Sequence, residues 1–537
     1  MPIRATPKLH PLVIGVCAMM IGGAAMPMAW ADAPAAAHVR SFDLNEIRVE
    51  GSTVLPPDTV EETVYPFLGP GRGAADVEAA RRALEKAYQG AGYVTVSVSV
   101  PRQNVMANGG VIVMNVIERK VGRLRVKGAE YFLPSDVRAG APSLKPGTVP
   151  HMPDVTRDLA GLNQLPDRTV EPQLRPGHDP NTVDVDLDVS DKLPLHGSLE
   201  LNNRYNADTH SLRLDAGLSY GNLFQRGDTV SLNYSVAPED VADAEISSAS
   251  YLFHIPNSQL SLLVSYLHSN SDVNALGTTN VLGRGSTAGF RLLIPLGTTG
   301  GFTQALSVGW DYKKYFELDT YKSTDQLTSA PVTYYPLNAT YSMDWVEKHS
   351  TTDATIGVVL GLQSLGSDTA QFNNKRYNAP GDFSVVKGGV TREQDLDHDI
   401  QLWGTLQGQY SNDPLVSSEQ IGIGGADSVR GYLESETIGD YGMYGQTEVR
   451  SPSIARYIGG PVTSLRFHIF ADAGYIGLQQ PTVGQLSGQG LSSAGGGVRV
   501  NLWGYLNGAV QDAQTFNRGP DTHIGTNRVL FRVYGEF

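Results

Sequence analysis

The sequence predicts a mainly β chain: two small α+β domains in tandem, then an antiparallel transmembrane β-barrel of about 16 strands. Three observations carry this prediction. The amino terminus has the three-part form of a secretory signal. From about Leu195 to the last residue, segments of roughly ten residues alternate apolar and polar side chains between polar turns. Between these two regions the order strand, helix, helix, strand, strand occurs twice.

The signal is read over residues 1–31. Arg4 and Lys8 supply the positive end, Leu12 to Met26 is apolar, and Ala29-Trp30-Ala31 is a small-x-small cleavage site before Asp32. The apolar core is short for a spanning helix, which needs roughly 20 residues. Cys17 is the only cysteine and falls within this signal. The mature chain is therefore expected to have no disulfide, no thiolate metal site and no cysteine nucleophile. Losing Arg4 and Lys8 leaves 39 of the 41 basic residues against 55 acidic ones, a net charge of −16. That balance argues against nucleic acid as a partner. A mean hydropathy of −0.20 fits a soluble protein. It fits equally well strands that turn only half their residues to lipid. The 59 glycines and 24 tyrosines suit turns, close strand packing and interfacial aromatic belts.

Residues 32–41 form a short segment ahead of the first α+β domain, 42–118. In that domain Ile47 to Glu50 is a strand ended by Gly51, and Asp58 opens a short helix after Pro56-Pro57. A second helix runs from about Ala74 to Gln89, with Val77, Ala80, Leu84, Ala87 and Tyr88 on one apolar stripe. Val94 to Pro101 and Val111 to Glu118 are strands, joined through the hairpin-type turn Asn108-Gly109-Gly110. The second domain, 119–192, repeats the order. Val121 to Val126 is a strand, Pro134 to Ala139 and Asp154 to Asn163 are helices, and Val170 to Leu174 and Val183 to Val189 are strands.

The barrel is read over 193–537. Leu212, Leu214, Ala216, Leu218 and Tyr220 oppose Ser211, Arg213, Asp215 and Ser219. Ile400, Leu402, Leu406 and Tyr410 oppose Gln401, Thr405, Gln407 and Gln409. In the last segment Val529, Phe531, Val533 and Phe537 share one face, and Arg528, Arg532, Tyr534 and Glu536 the other. The apolar face suits lipid and the polar face a water-filled interior. Closure follows from chemistry, because an open edge in hydrocarbon leaves backbone groups unpaired at several kcal/mol each.

Two motifs stand out. Gly424-Gly425-Ala426-Asp427-Ser428-Val429-Arg430-Gly431-Tyr432 lies in a long, Gly-rich, non-alternating stretch, 411–440, just before the last five strands. Phe470-Ala471-Asp472-Ala473-Gly474 follows on a strand whose polar face also carries Arg466 and His468. With these motifs, the tandem domains and the stretch Asp158-Leu159-Ala160-Gly161-Leu162-Asn163-Gln164-Leu165-Pro166, the chain resembles two-partner secretion transporters of the TpsB type. These are the ShlB/FhaC/HecB family within the superfamily that joins POTRA domains to an outer-membrane barrel.

The resemblance implies two periplasmic POTRA domains, 42–118 and 119–192, before a barrel in the outer membrane of a Gram-negative bacterium. It implies that loop 411–440 folds into the lumen, with Val429, Gly431 and Tyr432 as its motif. Arg430 would then bridge to Asp472, and Phe470 and Gly474 would complete the strand motif. Phe537 would be the terminal aromatic used as an assembly signal. Such a bridge is expected to be partly desolvated yet weak enough to break and re-form during transport. The residues alone leave open a solvated Arg430 and a channel-lining Asp472.

The implied partners are a large, β-helical secreted exoprotein of TpsA-like type, outer-membrane lipid, and the barrel-assembly machinery during biogenesis; the expected state is a monomer, without cofactor. The POTRA sheet edges could capture an unfolded client by main-chain bonds, or could only hold the two domains together. Better-known members carry an amino-terminal plug helix. Here about ten residues separate Asp32 from Phe42, so no plug helix is expected and gating would rest on the inward loop. An outer-membrane assembly factor is the main rival, and a passive porin a second. No catalytic constellation is read. Gly217-Leu218-Ser219-Tyr220-Gly221 mimics a nucleophile elbow but lies within an alternating strand, and the 12 histidines show no ligand spacing.

Overall fold

The computed structural model describes residues 41–537, apart from 208, 257, 271–272, 277–278, 283, 317, 322–325 and 330. The signal reading over 1–31, the segment up to residue 40 and the expected absence of a plug helix lie outside the described residues. The chain divides into two units, the first ending at Glu118 and the second running from Arg119 to Phe537.

In the first unit Val111–Glu118 is the central strand of three, parallel to Glu46–Glu50 and antiparallel to Val96–Ser99. Helix α1 (Pro57–Val64) starts on a proline, whose missing N–H costs nothing in a first turn. Helix α2 (Ala74–Gly90) buries Val77, Ala80, Leu84 and Tyr88, the stripe that helical spacing puts on one face. The turn Asn108-Gly109-Gly110 closes an irregular connection spanning residues 100–110 rather than a tight hairpin, and Gly109 and Gly110 both take positive φ.

The second α+β domain has the same topology. Thr182–Asp191 is central, parallel to Lys120–Lys127 and antiparallel to Arg168–Pro176. Helices α3 (Pro134–Ala139) and α4 (Met152–Leu162) close a core of Val137, Leu144, Val155, Leu162, Val185 and Leu187. One backbone detail repeats exactly in kind. Gly51 and Gly128 end the first strand of each domain at φ +83° and +79°. A Cβ on either would stand 2.4 Å from a central-strand carbonyl, of Val116 and Val189 respectively. Only glycine fits there.

The rest of the second unit is a closed antiparallel barrel. Its 16 strands match the number counted from alternation. Strand one is Leu195–Asn202 and strand sixteen, Asn527–Glu536, pairs back onto it from Glu536–Ser198 to Arg532–Asn202. The eighth strand is split into Val332–Tyr334 and Leu337–Val346 at Pro336, which has no N–H to give the ladder. Leu218, Leu232, Val264, Ile356, Leu406 and Val529 are exposed on the outer wall. No helix among the described residues is long and apolar enough to cross a membrane.

The second α+β domain sits on one end of the barrel. Tyr131 O accepts from Asn222 Nδ2 and Gln225 Nε2 at 3.3 and 3.2 Å, and His196 Nε2 lies 2.8 Å from Asp167 Oδ2. The hairpin turns at this end are short, except 451–461, which carries the helical turn Ala455–Ile458. At the far end the connections are long, and the longest runs from residue 412 to 440.

Candidate functional site

The segment 412–440 connects the eleventh strand, Gln401–Ser411, to the twelfth, Tyr441–Arg450, and packs against the inner wall. It carries a short hairpin that the sequence did not announce, Ile421–Ile423 against Thr437–Gly439. Val429 and Tyr432 are fully buried with Ile423, Ile476 and Leu491.

Arg430 lies at the centre. Its Nε donates to Asp472 Oδ2 at 2.7 Å, its Nη2 to Asp472 Oδ1 at 2.6 Å, and its backbone N–H to Asp472 Oδ2 at 3.1 Å. The remaining nitrogen, Nη1, donates to Glu448 Oε1 at 2.5 Å. The guanidinium carbon stands 3.6 Å from the centre of the Phe470 ring, a cation–π contact. Asp472 and Phe470 are on the thirteenth strand, Val462–Gly477, two residues apart and so on one face. Glu448 is opposite Phe470 in register on the twelfth strand. Glu448 also accepts from Arg450 Nε at 3.0 Å and Arg499 Nη2 at 2.9 Å, and Arg450 reaches Glu393 at 3.0 Å. Three cations and three carboxylates thus balance within one network.

The depth of this network decides its character. Arg430, Asp472 and Glu448 are only 2%, 3% and 3% exposed. A pair so desolvated is not the weak, readily exchanged bridge that a partly wetted one would be. Removing one partner of a buried, hydrogen-bonded pair typically costs roughly 3–5 kcal/mol.

The other motif residues surround this anchor. Gly431 takes φ +94°, and a Cβ there would meet Thr515 Cγ2 at 3.1 Å and Ala513 Cβ at 3.3 Å on the fifteenth strand, Leu506–Thr515. Tyr432 donates its hydroxyl toward Asn517 O at 2.8 Å and Ser492 O at 3.1 Å, and accepts from Asn517 N at 3.2 Å. Gly474 leaves room for Tyr444, whose Cβ would be 2.9 Å from a Cβ on it. Phe537 lies one residue past the last strand and is 76% exposed. Its backbone exchanges two bonds with Gly197, at 3.1 and 3.2 Å, which extends the seam between the last and first strands.

Several anchors were not read from the sequence. Arg204, just past the first strand, bonds both Asp427 and Glu434 of the loop. Glu436 accepts from Thr522 N at 2.8 Å and Leu433 N at 2.8 Å. Glu419 takes Lys313 Nζ at 2.5 Å and the Tyr334 hydroxyl at 2.7 Å. Asp440 accepts from Leu415 N, Gln420 Nε2, Gln479 N and Arg376 Nη2 at 2.7–2.9 Å. Arg376 belongs to another far-end connection, 361–383, whose Phe372 and Phe383 pack with Leu415 and Val416. Loop 412–440 is therefore packed against a second far-end connection as well as against the barrel wall.

No group of three His, Cys, Asp or Glu side chains among the described residues could hold a metal ion. Ser219 lies in the second strand, Arg213–Leu223, in extended backbone rather than on a strand-to-helix elbow.

Comparison with known proteins gives concordant results. The family model described as haemolysin secretion/activation protein ShlB/FhaC/HecB matches residues 181–500, and the ShlB-type POTRA domain model matches residues 42–118. The outer membrane transporter CdiB of Dickeya dadantii is 23% identical, covering 81% of this chain and 76% of that protein. The hemolysin transporter protein ShlB of Serratia marcescens is also 23% identical, covering 78% and 73%. Among solved structures, CdiB from Escherichia coli superposes with a TM-score of 0.65 at 20% identity over 94% of this chain and 92% of that one. BamA from Haemophilus ducreyi lacking POTRA domains 1–3 gives 0.55 at 13% identity, over 93% and 100%. At such identities these structures establish the fold.

Proposed function

The chain belongs to the haemolysin secretion/activation protein family ShlB/FhaC/HecB, an outer-membrane transporter of the TpsB type with its POTRA domain in the periplasm, and from that premise we propose that it exports one large secreted protein through its barrel. The α+β domains 42–118 and 119–192 act as two POTRA modules that capture the client in extended form. The client crosses the lumen and folds outside, which makes return unfavourable without any nucleotide. The working unit is a single chain.

The observation that carries this reading is the inward loop 412–440, held against the wall by the buried Arg430–Asp472–Glu448 network. A passive solute pore has no need of the POTRA domain that precedes this barrel. The rival reading, insertion of other barrels into the membrane, calls for a first-to-last strand seam that opens sideways. The seam here is paired along Ser198–Asn202 and prolonged at both ends, by Phe537 with Gly197 and by Asn203 with Val529 and Phe531. These bonds close the seam, which at five register pairs is the shortest between neighbouring barrel strands, and the gene deletion separates the two readings.

Deleting the gene and comparing the proteins of the medium and of the outer membrane tests the proposal. Loss of one large secreted protein, with the outer-membrane proteins at normal levels, is the expected result. A broad loss of outer-membrane barrels would replace it with the assembly reading.

A further inference from the structure

The loop does not fill the lumen evenly. Its motif is bound to strands twelve to fifteen: Arg430 to Asp472 and Glu448, Tyr432 to Ser492, and Gly431 against Ala513 and Thr515. Gln446 of strand twelve also donates to Ala426 O at 3.1 Å. On the opposite side of the lumen lies a cavity of about 1020 Å³. Most of its wall comes from strands one to seven, Ser198, Asn233, Ser248, Ser265 and Thr287 among them, and Lys387 of strand ten and Arg532 of strand sixteen complete it. The loop contributes Ser418 and Asp427 to its boundary. A second cavity of about 290 Å³ shares Lys387 and Ser418 with it and continues along strands eight to eleven.

The chemistry of the two sides differs. Short hydroxyl and amide side chains can exchange hydrogen bonds with water or with any peptide group, and they offer no apolar grip. Three pairs are formed at this open side, Arg291 with Asp311 at 2.9 Å, Arg532 with Glu200 at 2.6 Å, and Lys313 with Glu419 of the loop, and Arg213, Asp215, Lys387 and Glu536 add further charges to its lining. Such a surface suits an extended polypeptide of arbitrary sequence. On the loop side, displacement would separate the buried Arg430 and Asp472 and take one of three cations from Glu448.

We propose that the secreted chain passes through the half-lumen walled by strands one to seven, while loop 412–440 stays docked on strands twelve to fifteen as a fixed partition. This rests on the transport reading above. It differs from a gate that swings out, because it requires the Arg430 anchor to survive transit.

Two measurements test it, the first in whole cells, using the secreted protein identified by the deletion experiment and stalled by a disulfide-closed domain fused to its carboxyl end. Single cysteines are placed on a Cys17→Ser background at Ser248 or Ser265 on the open wall, and at Ser493 beneath the loop. Ser493 is 2% exposed and faces Asp472 in register. A thiol-to-amine cross-linker should capture the stalled protein from Ser248→Cys and Ser265→Cys, with at least tenfold less from Ser493→Cys. Equal capture from Ser493→Cys would overturn the proposal. The second measurement, on outer membranes isolated from the same cells, compares amide exchange over residues 428–432 in the unaltered transporter with and without the stalled protein. The two rates should agree within twofold. Exchange at least tenfold faster with the protein in transit would overturn the fixed partition. If the unaltered chain exported nothing, the transport reading itself would fall, a result distinct from either of these.

Discussion

Arg430 reaches Glu448 with the one guanidinium nitrogen that Asp472 leaves free. The loop is thereby tied to two neighbouring strands by a planar fork that only arginine supplies. Arg430→Ala should leave the barrel inserted, since the backbone ladders are untouched, but it strands the buried Asp472 and leaves Glu448 to Arg450 and Arg499. The expected local cost is roughly 3–5 kcal/mol, and a freed loop obstructs the lumen. Export should fall at least tenfold while heat-modifiable mobility on gels, the sign of a folded barrel, persists. Arg430→Lys should rescue little, because one ammonium cannot span both carboxylates. Normal export by Arg430→Ala would remove the role assigned to this residue.

Exchanging the charges, Arg430→Asp with Asp472→Arg, should not restore export. In a simple pair the exchange would be neutral. Here the new carboxylate would lie against Glu448, and the new guanidinium would enter a network that already holds Arg450 and Arg499. Adding Glu448→Gln to the double exchange should recover part of the loss. Secretion assays on the two singles, the double and the triple decide this. Full recovery in the double alone would mean that Glu448 contributes nothing.

Asp472 was legible in the sequence because strand periodicity put it on the polar face with Phe470, and its pairing with Arg430 came from the resemblance to the family. Glu448 was not. Its alternation with Gln446 and Arg450 marks a lumenal face, but which lumenal residue meets the loop depends on the stagger between closed strands, a global property. The barrel and its strand number were legible because a lipid face imposes period two on every strand. The hairpin Ile421–Ile423 with Thr437–Gly439 was invisible, since three-residue strands are too short to show a period. The acidic loop residues Asp427, Glu434 and Glu436 lie in a stretch with no period to place them, and only the fold brings Arg204 and the 516–526 connection against them.

Tyr432→Phe should loosen the loop without freeing it. The substitution keeps the buried ring among Val429, Ile476 and Leu491 but removes the hydroxyl shared by Ser492 and Asn517. Leaving such groups unpaired costs about 1–3 kcal/mol. Amide exchange over 428–436 should accelerate about tenfold or more, with export reduced less than in Arg430→Ala. Gly431→Ala should be the harsher change, because it adds a Cβ both at φ +94° and 3.1–3.3 Å from Thr515 and Ala513. Unchanged exchange in both variants would show that the motif does not hold the loop.

A pH-dependent tie joins two of the far-end connections. His210 Nδ1 is hydrogen-bonded to Asp243, whose carboxylate also takes the His210 backbone N–H at 3.1 Å. That bond, followed by the nearby charges of Asp243, Glu239 and Asp240, raises the imidazole above its ordinary 6.5. The same bond, helped by the His210 backbone N–H, holds Asp243 below its ordinary 3.8. For the raised histidine, the stabilisation is complete below pH 6.5 and fades as pH climbs through the folded value. For the lowered aspartate, it is complete above pH 3.8 and fades as pH falls through the folded value. Between those limits both groups are charged and the tie is intact. Exchange at the His210 amide, corrected for the intrinsic pH dependence, should therefore be slowest between pH 4 and 6.5 and quicken on the alkaline side. His210→Gln should abolish the alkaline change. A wild-type profile that is flat from pH 5 to 9 would show that the tie does not form.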